Sequence, residues 1–561
     1  MVSNYLIFLV SYFLIVLSVV GHGILMIKLT KTNVSTDEIG FVGLVGIFFL
    51  ILYSYLTHFF VSHGYLHNII LLAVGFAGLF FFRSQILTKN NIIFLFSIFS
   101  VIFLAFIIFK THDDFGYYHF PYSYYLNKFS MIIGIGPLNH GFRTPSSIFY
   151  LNSLFYLPYL DYYLYHISAI LIFGFSNIIL ISNIKKNFNK KNNNQFFFLN
   201  LLAFVFINIF FYRIAEHGTD RSAQILVFLF FIYIFSLRGN YESYDNILPK
   251  LIVFLSLIIS LKSFYILYLI FIIPFVYYLI KDDKTSLINK IFKNQIFYFS
   301  ILMGFCVILV YYFNTGCLLY PIQQTCLSGV EWGIPKSEVS ALNTHYQWWA
   351  KAGGGPGYSH EMEKDLYIQN FNWLSNWIDR YFFNKMSDFL LGLLFVMVVF
   401  IMTFKSKKRN LSFKNFKENS LYYFLIILLL VEWFLNHPSL RYGGYIIFSL
   451  ILFIPLSYLL SDYEISRNFK IKTTIIFFLV ISIFAARNVD RIIYEINFYK
   501  ANLKQNMFFF TDKNYFRIHT KLKELSTIYN NCNQNIDNCS NNEDFDIKKS
   551  YGKMMLIKIR N

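Results

Sequence analysis

The sequence predicts an all-α integral membrane protein of about 13–14 transmembrane helices, with extracytoplasmic loops and a small C-terminal tail. Three observations predict it. The chain is 56% hydrophobic and 14% charged, where a soluble domain is roughly 45–50% apolar and about 25% charged. The apolar residues gather in runs of roughly 16–24, the thickness of bilayer hydrocarbon. The breaks between runs alternate between basic and poorly basic, as the positive-inside rule requires.

The runs are 5–27, 39–61, 66–82, 92–109, 162–182, 196–212, 222–237, 249–261, 264–280, 296–313, 386–404, 420–436, 442–460 and 472–487. The first has basic residues after it and none before it, and is longer than a signal-peptide core, so it reads as a retained span. Ile148–Leu160 is apolar but too short and Pro-interrupted to cross. The pair 249–261 and 264–280 reads as two short helices with a bend at Lys262–Ser263, or as one broken element.

One alternating set of breaks holds Lys28 and Lys31, Arg83 and Lys89, Lys185, Lys186, Lys190 and Lys191, Lys281 to Lys293, Lys405 to Lys417, and Arg467 to Lys472. That set is assigned to the cytoplasm. The N-terminus, the loops 110–161, 213–221 and 314–385, and the tail after 487 then lie outside. The parity holds only if 249–261 and 264–280 cross separately. Residues 1–90 read as additional N-terminal helices, 91–487 as the main transmembrane module and 488–561 as an outer tail, small and loosely ordered beyond about 500.

The net charge of +18 is no sign of nucleic acid, because the basic residues flank apolar runs. Cys306 sits within a run as a small apolar residue. Neither Cys317 and Cys326 nor Cys532 and Cys539 has partners at zinc spacing. Placed outside, they are expected to form two local disulfides; four free thiols are the alternative.

Polar chemistry concentrates in the outer loops. The strongest cluster is His112-Asp113-Asp114-Phe115-Gly116-Tyr117-Tyr118-His119, directly after the run 92–109. Carboxylates at a membrane face have a job or a partner, although such a pair can also simply end a helix in water. Arg213, Glu216, His217, Asp220 and Arg221 share a short loop, where they either neutralise one another or bind substrate. His437-Pro438-Ser439-Leu440-Arg441-Tyr442-Gly443-Gly444 puts Arg441 at the start of a run. There it either snorkels or grips a phosphate bidentately. Arg143 is a further polar point in 110–161. All four clusters fall on one side. Carboxylates, arginines and an aromatic rim at the interface suit a substrate with a lipid tail, a phosphate and a sugar.

These segments resemble the multi-pass GT-C glycosyltransferase superfamily, in particular a branch of uncharacterised bacterial membrane proteins from polysaccharide gene clusters. The first outer loop there often reads Asp-x-Gly-x-Tyr-His, matched by Asp114 to His119. Arg143 to Ser147, Leu319-Tyr320-Pro321, Glu331 to Pro335, Trp349-Ala350 and Pro438 to Gly444 resemble later segments in the same order, over roughly 90–460. The resemblance implies a GT-C-like fold in the bacterial inner membrane and a polyprenyl-phosphate or -diphosphate sugar as donor. It implies Asp114 as catalytic base, with Asp113 its neighbour. Arg143, His119, Glu216, Asp220, Arg441 and Tyr442 are the substrate-binding candidates. No cofactor is certain, and a divalent metal is left open. The expected partners are the lipid-linked donor, a glycan or lipid acceptor and membrane lipids. Two departures stand out: extra spans precede the loop, and Glu216-His217-Gly218-Thr219-Asp220 has no residue-by-residue match. The rival readings are a polysaccharide polymerase joining lipid-linked repeats, and a lipid-linked oligosaccharide flippase. The flippase predicts charges at mid-span, where Glu432 is the main example.

Overall fold

The computed structural model describes residues 2–32, 38–86, 88–188, 194–238, 243–282, 284–354, 362–404, 419–461, 463, 466–501, 517–534, 544–550 and 552–559. The basic segment 405–418, Lys190, Lys191 and the expected Cys532–Cys539 bridge lie outside the described residues.

Every apolar run becomes a helix. In chain order these are α1 (Val2–Leu29), α2 (Ile39–His58), α3 (Tyr65–Phe81), α4 (Lys89–Phe106), α5 (Ile167–Asn187), α6 (Asn194–Phe210) and α7 (Gly218–Arg238). They continue with α8 (Tyr244–Leu261), α9 (Ser263–Lys281), α10 (Gln295–Thr315), α11 (Ser387–Thr403), α12 (Ser420–Asn436), α13 (Gly444–Leu460) and α14 (Arg467–Phe498). Among the described residues, ten helices are long and apolar enough to cross a membrane, and four shorter apolar ones lie among them. The chain is a helical multi-pass membrane protein. Its peripheral helices turn large apolar side chains outward: Phe395 is 70% exposed and Phe478 63%, which only lipid accommodates at such density.

The ends of the bundle are defined by ion pairs. At one end Glu38, before α2, binds Lys186 at the end of α5 (3.0 Å) and the buried Lys250 of α8 (2.6 Å). There too Lys290, before α10, pairs with Asp245 at the start of α8 (2.8 Å). At the opposite end Ser146 donates to the carbonyl of Leu261, the last residue of α8. So α8 runs the full depth of the bundle. The next helix returns, because Lys284 just beyond α9 donates to Tyr244 at the start of α8 (3.2 Å). Residues 249–261 and 264–280 are therefore two antiparallel crossings. Lys262, extended at φ −156° and ψ 127°, is the only residue between them.

The N-terminal helices are part of the same body. Gly23 and Gly46 let α1 and α2 touch backbone to backbone; a Cβ at either would lie 1.9–2.0 Å from a carbonyl oxygen. Gly43 of α2 packs against Phe175 of α5, and Tyr12 of α1 donates to the carbonyl of Phe99 in α4 (2.9 Å).

The loop between α4 and α5 folds back over the bundle. A π-helical turn at Phe115–His119 runs into the helix Phe120–Lys128, which packs on the short helix Ser147–Ser153. The tail is more ordered than its Asn- and Lys-rich composition indicates. A helix, Arg517–Gln534, and an antiparallel hairpin of β1 (Phe545–Ser550) and β2 (Lys553–Lys558) lie over this loop. Ile133 donates to the Met554 carbonyl (2.9 Å) and accepts from Leu556 N (2.8 Å). A lone hairpin is marginal; pairing with Ile133 and burial of Leu556 hold this one.

Candidate functional site

Four segments meet at the end of the bundle away from Glu38: the start of the π-helical turn, the first turn of α7, the α8–α9 junction and the turn before α13. They bring four charges into one chain of contacts. Asp114 Oδ2 accepts from Arg441 Nη2 at 2.9 Å. Arg441 Nε lies 3.3 Å from Asp220 Oδ2, and Lys262 Nζ closes on Asp220 Oδ1. The Tyr442 ring lies under both cations, 5.3 Å from the Arg441 guanidinium and 5.4 Å from Lys262 Nζ. His112 Nδ1 flanks Asp114 at 3.5 Å. Two carboxylates and two cations thus nearly cancel.

Each arm is fixed from behind. The segment carrying Arg441 is pinned by three aromatic side chains. Trp377 Nε1 donates to the Pro438 carbonyl (2.7 Å), Trp433 Nε1 to the Ser439 carbonyl (2.9 Å), and Tyr381 Oη accepts from Leu440 N (2.6 Å). Gly443, at φ +98°, then turns the chain into α13. The segments carrying Asp114 and Asp220 share a clasp on α14. Arg491 donates to the carbonyls of Leu104 (2.9 Å) and Ile107 (2.7 Å) at the end of α4, and to both oxygens of Glu495 (3.1 Å each). Glu495 accepts from Phe109 N (2.9 Å) and lies 3.9 Å from Arg213. Arg213 in turn pairs with Glu216 at 2.5 Å, four residues before Asp220.

Burial alone would raise the Asp114 carboxyl; the Arg441 guanidinium, with His112 beside it, outweighs this and holds it well below the usual carboxylate range. Burial lowers His119 to about 3, so its imidazole is neutral.

Of the residues expected from sequence, Asp114, Asp220, Arg441 and Tyr442 are brought together. Asp113 is exposed and makes none of these contacts. Glu216 serves Arg213. His119 packs at a tilt against Phe149, ring centres 4.8 Å apart, and lines a separate small cavity with Phe115, Asn152, Tyr165 and Glu216. Arg143 is buried and occupied elsewhere. It donates to the carbonyl of Gly136 (3.3 Å), to Tyr320 Oη (3.1 Å) and to Glu338 Oε1 (2.6 Å), tying the first long loop to the second. Cys317 and Cys326 are disulfide-bonded within that second loop. Lys262 completes the cluster and is absent from the sequence-derived set; its one signal was a lone lysine at the bend between two apolar runs.

The donor set does not fit a divalent cation. Arg441 stands between the two carboxylates, and no group of three or more His, Cys, Asp or Glu residues among the described residues is placed to hold a metal.

No curated protein and no solved structure matches the chain. A protein-family model described as a domain of unknown function, DUF8201, matches residues 5–448. That stretch includes all four members of the charge cluster and ends early in α13, before α14 and its clasp begin. The chain therefore belongs to the DUF8201 family, a domain of unknown function.

Proposed function

We propose that this protein is a membrane glycosyltransferase that moves a sugar from a polyprenyl-phosphate or polyprenyl-diphosphate donor to a glycan or lipid acceptor at the outer face of a bacterial inner membrane. The observation that carries the reading is the 2.9 Å contact between Asp114 and Arg441. Two of the GT-C-like segments, 114–119 and 438–444, are far apart in sequence and supply Asp114 and Arg441 to one cluster at the end of the bundle. The lysine-rich breaks at the opposite end support its outward orientation.

The chemistry follows from the charges. The donor phosphate takes Arg441 and Lys262, and its tail stays in lipid. Asp114 then loses the partner that holds its carboxyl low and becomes a stronger base. The acceptor oxygen forms its bond to the anomeric carbon and gives its proton to Asp114. The bond from that carbon to the phosphate oxygen breaks, and the electron pair stays on the phosphate, against the two cations. The leaving phosphate gains one negative charge and Asp114 loses one, so the site's net charge is unchanged.

The test is glycan synthesis in cells carrying single variants. Asp114→Asn should lower transfer by at least about 10²-fold, the lower bound for loss of a positioned base, with normal membrane insertion. Asp113→Asn, exposed and outside the cluster, should keep transfer. An active Asp114→Asn protein refutes the assignment. Product analysis separates a single added sugar from the ladder that a polymerase makes.

A further inference from the structure

Five cations other than Arg221 ring the first turn of α7, and each has an acceptor. Arg213 holds Glu216, Arg441 holds Asp114 and Asp220, Lys262 holds Asp220, and Arg491 holds Glu495. Arg487 donates to the Ile209 carbonyl (2.6 Å) and stacks on Tyr212. Arg221 differs. No carboxylate of the described residues lies within ion-pair distance of it, its Nη1 is closed off from solvent, and that nitrogen makes no hydrogen bond. Its guanidinium lies over the Phe211 ring at 5.4 Å. Arg221 is half-buried and Glu216 attracts it without forming an ion pair, and a charge held at the end of a span is by default functional.

Its position narrows what it holds. Arg221 follows Asp220 in the first turn of α7, about 100° further round the helix, so the two side chains flank the same helix end. The positive end of the α7 dipole points the same way. Between Arg221 and the charge cluster stands His217, whose ring is 5.1 Å from that of His112, the neighbour of Asp114. Burial, then Arg221, His112, Arg213 and Arg441, hold the His217 imidazole neutral. Three arginines therefore face one uncharged side chain, with Glu216 3.7 Å from its Nε2. One anion is served by Arg441 and Lys262. A second anionic group of the same ligand, displaced toward α7, meets Arg221.

We propose that Arg221 binds the second phosphate of a diphosphate-linked lipid, making this site selective for polyprenyl diphosphate over polyprenyl monophosphate. The proposal rests on the transferase reading for the location of the first phosphate.

The probes are farnesyl diphosphate and farnesyl phosphate, titrated against the full-length protein in detergent micelles by microscale thermophoresis. Inorganic pyrophosphate and short-chain phosphatidylglycerol serve as competitors. Wild type should bind the diphosphate about tenfold or more tightly than the monophosphate, as one added charge-assisted contact implies. Arg221→Gln should equalise the two by weakening only the diphosphate, and Arg221→Lys should keep part of the preference. Equal affinities in wild type, or an equal loss of both probes in Arg221→Gln, overturn the proposal. Pyrophosphate competing as well as farnesyl diphosphate overturns the lipid part, and phosphatidylglycerol doing so overturns the diphosphate part. If Arg221→Gln does not fold, the wild-type ratio and Arg221→Lys decide. Transfer by Asp114→Asn is a separate reading: a protein that discriminates the probes while Asp114→Asn stays active keeps the anion site and loses the transferase.

Discussion

The contact between Asp114 and Arg441 can be weighed by a double-mutant cycle. The perturbations are Asp114→Asn, Arg441→Gln and both together. With charge centres near 4 Å, the attraction is about 4 kcal/mol at an effective dielectric of about 20. The two side chains are 25% and 27% exposed, and Arg441 is shared with Asp220. Screening and sharing reduce the expected coupling to about 1–3 kcal/mol. Each single variant leaves a charge facing a lost partner, so the two single costs should sum to more than the cost of the double variant. The pH dependence has a definite sign. Asp114 is depressed in the folded protein, so its contribution is fully present above the unfolded carboxylate value of about 3.9 and is lost as pH falls toward the folded value. The assay is equilibrium unfolding in mixed micelles of detergent and SDS. Coupling should be equal at pH 8 and pH 5 and smaller below pH 4. A coupling under about 0.3 kcal/mol, which is the additivity error for independent sites, or one that disappears between pH 8 and 5, would refute the reasoning.

Other expectations follow from neighbouring contacts. Arg143→Ala strands Glu338 and Tyr320 and should destabilise by about 2–4 kcal/mol, seen as faster limited proteolysis within 336–351. Lys558→Ala, whose exposed Nζ is 3.9 Å from the same Glu338, should change stability by less than about 0.5 kcal/mol. Gly443→Ala places a side chain at φ +98° and should cost about 1–3 kcal/mol while lowering transfer by displacing Arg441, measured as glycan output per inserted protein. Compartment-sensitive reporters at 405–418 should report the cytoplasm, and reporters at the N-terminus and tail the opposite side; a cytoplasmic signal from the tail overturns the orientation.

The bundle was legible because lipid enforces a simple rule: each crossing must be a continuous apolar helix. Hence fourteen runs correspond to fourteen helices, and charge parity favoured two crossings for the α8–α9 pair, which the contact of Lys284 with Tyr244 then decides. The site was half legible. Asp114, Asp220 and Arg441 announce themselves as charges beside spans. Lys262 is a single residue between two apolar runs, and only the return of α9 along α8 turns it toward Asp220. The partner of Arg143 was illegible because Glu338 lies in another loop, and sequence proximity carries no information about such pairings. Glu216 looked like a site residue because it stands near Asp220, but its carboxylate is taken by Arg213 in the turn before α7. The hairpin of the tail was hidden by composition, since its strands are held by pairing with Ile133 rather than by propensity.

The α14 clasp has a consequence for biogenesis. Arg491 and Glu495 belong to the last of the fourteen apolar helices to leave the ribosome, yet they satisfy backbone groups at the end of the fourth and steady the approach to the seventh. A chain paused after thirteen helices already contains Asp114, Asp220, Lys262 and Arg441, but two of their supporting arms are not yet anchored. On the transferase reading, competence to bind donor is thereby deferred until the last helix is inserted, so half-made chains do not hold the carrier lipid.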